Sequence, residues 1–351
     1  MTETSPGSSW IVRHWPKLVF SLLLGGGFVW LLRAGALPLL PDREALAAVS
    51  YWGVALHVVI WTAMHFVRAG RWYWLLSAVQ PVSMRTVIRT SFVSYVSIVV
   101  MPFRTGEMVR PLLIQRDGGF SPWAASGTVA AERIVDGLVI SVLLVTALSL
   151  SQPIEPLREH AKFVPGAAYA FVAVFALAFA LMSLFYWQRR WARRASEAVI
   201  GLASLKLARW FAGRVEQVAD GLGFLRDPRY SLPFVAGTLL YWAMNGLSWW
   251  VLGRAAGLHD LGLLQAVVAM GVLAIGISIP NAPGFFGQFQ FAVYAALALY
   301  FTQDQIEGAG SAYVFFTYVN QLGITFVMGA LAALFSARPE SEGAAPTAVT
   351  R

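Results

Sequence analysis

The sequence predicts an all-α polytopic membrane helix bundle of about six full spans plus two re-entrant, broken-helix hairpins arranged as an inverted repeat. Three observations carry this expectation. Hydrophobic residues make up 58% of the chain and charged residues 13%, with a mean hydropathy of +0.62, whereas charged residues alone reach about 25% in soluble domains. Apolar runs of about 20 residues recur, each long enough to cross a hydrocarbon core of about 30 Å at 1.5 Å per residue. Two apolar segments are also cut by proline and glycine with matching spacing, Pro102-x-x-x-Gly106 and Pro280-x-x-x-Gly284, about half a chain length apart.

Composition narrows the function classes. The net charge of +8 lies mostly in short segments beside apolar runs, where cations set topology and meet anionic lipid, so nucleic acid is not an expected partner. The chain has no cysteine, which removes disulfides and thiolate metal sites, and its five histidines lack ligand spacing. His57 and His65 read as packed or interfacial residues. No metal and no cofactor is expected.

Residues 1–16 read as a polar cytoplasmic tail, 17–336 as one transmembrane domain, and 337–351 as a second cytoplasmic tail. The first apolar run is Leu18 to Leu37. Ala34-Gly35-Ala36 mimics a signal-peptide cleavage site, but Arg33 sits just before it and a multi-span protein needs no cleaved leader. A second run, Ala45 to Val67, is closed by Arg68 and Arg71, which puts that end inside, and Trp72, Tyr73 and Trp74 read as an aromatic belt.

Arg85 and Arg89 then open a segment whose apolar part, Thr90 to Met101, is too short to cross before Pro102. Its return, Glu107 to Ala131, holds Arg110, Pro111, Arg116, Asp117, Gly118, Gly119 and Pro122. Such a segment cannot face lipid, so a re-entrant hairpin sheltered by neighbouring helices is expected. Thr128 to Leu150 is a span with Glu132, Arg133 and Asp136 in its inner third, and Ser151 to Pro165 is an external loop. Ala167 to Trp187 returns inward. The basic loop 188–229, with nine Lys and Arg against four acids, anchors the cytoplasmic side; Val199, Leu202, Leu205, Leu207, Trp210 and Phe211 in it have the spacing of a surface-lying amphipathic helix.

Phe234 to Leu252 runs outward with Asn245 and Ser248 at its middle. Leu261 to Ile279 meets the break Pro280-Asn281-Ala282-Pro283-Gly284, and Phe285 to Phe301 follows as the other arm; both arms are long enough to be full spans. The last span, Ala312 to Phe335, carries Asn320 and Gln321 and ends inside. Both termini are therefore expected in the cytoplasm, with the protein in the cytoplasmic (inner) membrane.

The stretch Pro102-Phe103-Arg104-Thr105-Gly106-Glu107-Met108-Val109-Arg110-Pro111, then Glu132-Arg133-Ile134-Val135-Asp136, then Pro283-Gly284-Phe285-Phe286-Gly287, resembles a flippase-like membrane family that includes the transmembrane domain of lysylphosphatidylglycerol synthases. The three motifs stand in the family's order. The resemblance implies lipid transport, with an anionic or phosphate-bearing membrane lipid as partner and an envelope lipid or glycan synthesis enzyme as a further one. Where many members carry an acid after the last motif, this chain has Gln290.

Read from the residues, broken helices at matching places of inverted halves point to a binding site between them. Charges inside a membrane cost about 2.5–3.5 kcal/mol each on insertion scales, so they persist where they have a task. Arg104, Glu107, Arg110, Glu132, Arg133 and Asp136 form the charged half of the candidate site, with Asn281, Gln290, Ser278 and Gln288 opposite; Pro102, Gly106, Pro280, Pro283, Gly284 and Gly287 shape the breaks. Guanidinium forks suit phosphate oxygens. A closed salt-bridge network that only fixes the hairpin is the competing reading. An intramembrane enzyme acting on a lipid phosphate or polyprenyl carrier is a functional rival, disfavoured because neither break holds a nucleophile beside a base other than Thr105 and Glu107. A lipid aminoacyl transferase would need a synthase domain for which the short C-terminal tail has no room, and an accessory partner of an envelope enzyme is the last alternative.

Overall fold

A computed structural model describes residues 37–151, 163–188, 216–278 and 282–334, together with Arg214 and several positions between 19 and 34. Pro280, Asn281, both tails and the expected amphipathic helix at 199–211 lie outside the described residues. Among the described residues the protein is entirely helical. Four helices, Tyr51–Ser77, Pro122–Leu150, Gly166–Trp187 and Gln303–Leu334, are long and apolar enough to cross a membrane.

Local chemistry sets where the helices begin. Asp42 Oδ1 accepts from the Ala45 amide at 2.7 Å and starts α1 (Arg43–Ala47); Ser50 Oγ caps α2 (Tyr51–Ser77), and Ser83 Oγ caps α3 (Met84–Val100). After a 3-10 turn at Pro102–Met108, α4 (Val109–Gly118) stops at Gly119, whose φ of 68° is the left-handed stop glycine favours. Ser121 then caps α5 (Pro122–Leu150), with Pro122 at the first helical position, where its missing N–H goes unnoticed. Next come α6 (Phe163–Trp187), α7 (Pro228–Ala255, capped by Asp227), α8 (Leu263–Gly276), α9 (Gln288–Leu297) and α10 (Ser311–Leu334).

The loops sort to two ends of the bundle. At one end the Ser50 amide donates to the Ala255 carbonyl at 2.8 Å, the Ser151 and Tyr300 hydroxyls are 2.7 Å apart, and Gly257 packs against Ala309. At the other, the Gln80 side chain donates to the Gly118 carbonyl at 3.1 Å and the Ser121 hydroxyl to Gln217 at 2.9 Å. Between the ends, α2 lies along α7 and α10 along α3, while α5 is flanked by α6 and α8. Trp249, Tyr313, Leu252 and Val293 sit in the largest apolar core.

Several expectations are corrected here. The second span does not stop at Val67: no breaker occurs before Gln80-Pro81, and α2 carries Arg68, Arg71 and the aromatic triplet inside its last turns. Trp72 is wholly buried, its indole N–H on Thr128 at 3.0 Å, so it is core and not a belt anchor. The span expected from Thr128 begins at Pro122, which leaves α4 alone between the first break and α5. The helices on either side of the second break have 14 and 10 residues, about 21 and 15 Å at 1.5 Å per residue, and so are shorter than the apolar runs that carry them.

Both breaks hold a non-glycine residue in left-handed backbone, Arg104 (φ 54°) and Phe285 (φ 57°), and these are the two such residues among those described. Each such residue costs about 1–3 kcal/mol and persists only where the surroundings impose it. Gly106 is required by a different constraint, close approach: a Cβ there would lie 2.1 Å from the Ser97 carbonyl oxygen of α3. Gly106→Ala should therefore destabilise the protein by about 1–3 kcal/mol through overpacking, measured as a lower thermal midpoint in detergent.

Candidate functional site

Glu132 is the centre of the charged cluster. On α5, Glu132 and Asp136 are four residues apart and share a face, which turns toward α2 and α4. Glu132 Oε1 accepts from Arg71 Nη2 at 3.0 Å and from Arg133 Nη2 at 3.2 Å, and its Oε2 accepts from Arg110 Nη1 at 2.6 Å. Arg71 also grips Asp136 with both terminal nitrogens, Nη2 to Oδ2 at 2.6 Å. Trp242 of α7 donates to Asp136 at 3.3 Å. Four helices, α2, α4, α5 and α7, are thus tied through two carboxylates. The participants are desolvated: Glu132 is fully buried and Arg71 and Arg110 are each 1% exposed.

Aromatic faces take up the remaining surface of the cations. The Arg110 guanidinium lies 3.8 Å from the Trp72 ring centre and that of Arg71 4.4 Å from Tyr241. Such contacts are worth about 2 kcal/mol or more when desolvated.

In the first break, Arg104 donates to Glu107 Oε1 from Nε at 3.1 Å and from Nη2 at 2.8 Å. Its Nη1 reaches the Ile277 carbonyl at 3.4 Å, and its guanidinium lies 6.0 Å from the Phe285 ring centre. The two breaks therefore face one another across a shared space. That space is a cavity of about 420 Å³, lined at one end by Arg68, Arg104, Glu107, Arg133 and Asp136, and elsewhere by apolar groups such as Ile140, Leu144, Phe175 and Leu273.

Arg68 is the unexpected member. It lines the cavity one helical turn before Arg71, lies 4.2 Å from the Tyr95 ring centre, and forms no ion pair among the described residues. Its Nε is buried without a hydrogen-bond partner. Counting it and Arg71, five guanidinium groups (Arg68, Arg71, Arg104, Arg110, Arg133) meet three carboxylates (Glu107, Glu132, Asp136), an excess of two positive charges. The six charges read from the sequence, Arg104, Arg110 and Arg133 against Glu107, Glu132 and Asp136, balance; Arg68 and Arg71 of α2 supply the excess.

The structure brings together all six charged residues expected from the sequence. It separates the polar ones. Gln290 accepts from the Gly287 amide at 2.8 Å and caps α9, away from the cavity lining, while Gln288 donates to the Gly276 carbonyl. Ser278 lines the cavity but gives its hydroxyl to the Ala274 carbonyl at 2.7 Å. Gly284 lines the cavity with φ 70° and Gly287 has φ 79°, so both serve the break as expected, as does Pro283 at the start of its 3-10 turn. Pro102 opens the first 3-10 turn. Asn281 lies outside the described residues. His57 is held by Ser248 and His65 by the Trp61 carbonyl, as packed residues.

Sequence reasoning missed Arg68 and Arg71 by reading them as loop cations. Their spacing of three, with Leu75 and Leu76 continuing the apolar pattern, was the available signal for a helix that carries them inward.

A family model described as lysylphosphatidylglycerol synthase TM region matches residues 18–344 of the chain. No curated protein and no solved structure matches it.

Removing Glu132 leaves three arginines around a vanished charge, so Glu132→Ala should cost about 3–5 kcal/mol and sharply lower the thermal midpoint. Arg68→Ala, which breaks no ion pair, should cost only about 1 kcal/mol through its lost aromatic contact.

Proposed function

We propose a function from two premises: the chain belongs to the family of the lysylphosphatidylglycerol synthase transmembrane region, and its cavity is lined by more cationic than anionic groups. On this reading the protein is a flippase-like lipid transporter of the cytoplasmic membrane that moves a phosphate-bearing headgroup between leaflets. The observation that carries it is Arg68, a guanidinium in the cavity wall with no carboxylate partner among the described residues. A fork of donors on a charge that survives desolvation suits phosphate oxygens.

The acids supply restraint. Glu107 holds Arg104, and Glu132 and Asp136 hold Arg71, Arg110 and Arg133, so the forks stay oriented before a ligand arrives and an incoming phosphate meets preformed donors. Acyl or prenyl chains stay in the bilayer beside α6, whose outward Val174, Leu177, Leu181 and Leu184 are exposed apolar groups. The two opposed breaks, with short arms around the second and one left-handed residue in each, support re-entrant hairpins in an inverted repeat, and alternating access then follows from one half rocking against the other.

Charge also supports the orientation. The end near Ser50 and Ala255 carries Arg43 and Arg254 against Asp42, Glu44, Asp260, Asp304 and Glu307; the opposite end carries Arg85, Arg89, Arg116, Arg214, Arg226 and Arg229 against four acids, Asp117, Glu216, Asp220 and Asp227. The second end is cytoplasmic on that balance, which puts both termini inside. In this cysteine-free chain, Asp260→Cys and Thr302→Cys should react with an impermeant maleimide from outside the cell, and Arg226→Cys only after permeabilisation; reversed labelling would overturn the orientation.

Purified protein in liposomes should move a tail-labelled phospholipid across the bilayer and leave its mass unchanged. Arg68→Ala and Arg104→Ala should each lower the rate at least about tenfold, since hydrogen bonds to a charged group are worth about 1.5–3 kcal/mol, while Arg43→Ala at the start of α1, away from the cavity, should be silent. An altered lipid mass would sink the transporter reading in favour of an enzyme.

A further inference from the structure

His65 lies on α2, and its two ring nitrogens have different settings. Nδ1 meets the Trp61 carbonyl, one turn back on the helix, at 2.9 Å. A carbonyl oxygen only accepts, so the proton of the neutral ring is on Nδ1 and Nε2 carries a lone pair. That second nitrogen has no hydrogen-bond partner among the described residues, and it is not one of the polar atoms sealed inside the protein, whereas Nε2 of His57 is. His65 is only 3% exposed, and the space it borders is the cavity, which His57 does not line. The ring packs against Trp61 and Tyr95, with ring centres 5.7 and 5.8 Å away. Tyr95 also meets Arg68, whose guanidinium lies 4.2 Å from the same ring centre. Residues three apart on a helix are neighbours on one face, so His65 stands beside the cavity arginine that joins no ion pair among the described residues.

A lone pair is the wrong group to turn toward an anion, because two acceptors face one another. A proton on Nε2 reverses this: the imidazolium donates from both nitrogens, and a charge-assisted bond to an oxyanion is about twice as strong as a neutral one. An anion and that proton therefore favour each other's binding, and by linkage each raises the affinity for the other by the same factor. The other ionisable groups around the cavity do not take this part. Glu107 is held by Arg104, and Asp136 by Arg71 and Trp242. Arg68, Arg104 and Arg133 keep their protons, as guanidinium groups do. The remainder are phenols, of Tyr95, Tyr241 and Tyr318, and imidazole alone among these side chains ordinarily changes charge between about pH 5 and 8.

We propose that His65 is the proton-binding residue of the anion site: an oxyanion headgroup at Arg68 binds together with one proton, taken from the adjoining water onto His65 Nε2, which then donates to the anion. Occupancy of the cavity thus depends on pH on the side from which it is loaded. This rests on reading the cavity as a lipid headgroup site.

The test measures binding of tail-labelled phosphatidylglycerol to the full chain in detergent between about pH 8 and about pH 6, a range over which its phosphodiester stays a monoanion. Sulfate, a dianion throughout the same range, is run in parallel and read as a shift of the thermal midpoint. Affinity for both should rise at least about fivefold as the pH falls, the low end of ordinary coupling. His65→Asn keeps an amide N–H in reach of the Trp61 carbonyl and removes the titrating atom, so its affinity should change by less than about twofold over the range. His65→Gln, the second variant should the first fold poorly, should flatten the profile in the same way. A flat profile in the unsubstituted protein, or an undiminished pH response in a folded His65 variant, would overturn the proposal. If sulfate shows the response and the lipid does not bind at any pH, the headgroup reading falls and the proton coupling stands; if the lipid binds equally at every pH, the coupling falls and the headgroup reading stands.

Discussion

A single buried carboxylate, Glu132, accepts hydrogen bonds from arginines on α2 and α4 and from its neighbour on α5, and the interior of the bundle is organised around that contact. Charges of this kind are expensive to desolvate, and their mutual attraction offsets the expense only when geometry is tight and remaining donors are covered. Asp136, Thr238 and the Tyr241 ring meet Arg71, Trp242 adds a donor to Asp136, and the Trp72 ring covers Arg110, whose Nε and Nη2, like Arg71 Nε, are left without a hydrogen-bond acceptor. Because those groups come from separate helices, the cluster fixes helix register where apolar packing alone would be indifferent to a slide.

Two features distinguish this network from a fully closed one. Arg68 stands beside the network without joining any ion pair among the described residues, and the pairs of Arg104 and Arg133 line an open cavity instead of a packed interior. The ion-pair network and the cavity are therefore adjacent and share residues: Glu132 restrains Arg133 from the protein side, and the cavity meets Arg133 from the other.

The helix breaks supply what the cluster lacks. Arg104 and Phe285 adopt left-handed backbone at opposed positions, and the Arg104 side chain spans from one break to the Ile277 carbonyl beside the other. Each break is short, lies within two residues of a glycine, and departs from the regular backbone ladder that stiffens α2, α5 and α7.

The sequence by itself determined a great deal. Apolar run lengths made the chain a membrane bundle, and six charges cut into apolar segments marked a charged cluster that the folded chain brings together. Those signals are local, or cost too much inside a membrane to be accidental. The tertiary structure alone decided which charges meet. Arg71 and Arg68 look like ordinary loop cations until α2 is seen to continue past them, and Gln290 looks like a site residue until its side chain is seen capping the Gly287 amide. In each case the deciding fact is a contact with another segment or with the next turn, and composition carries no record of it. The surplus of two positive charges is the clearest example, because it exists only once the last turns of α2, sixty residues away in sequence, are folded against Glu132 and the first break.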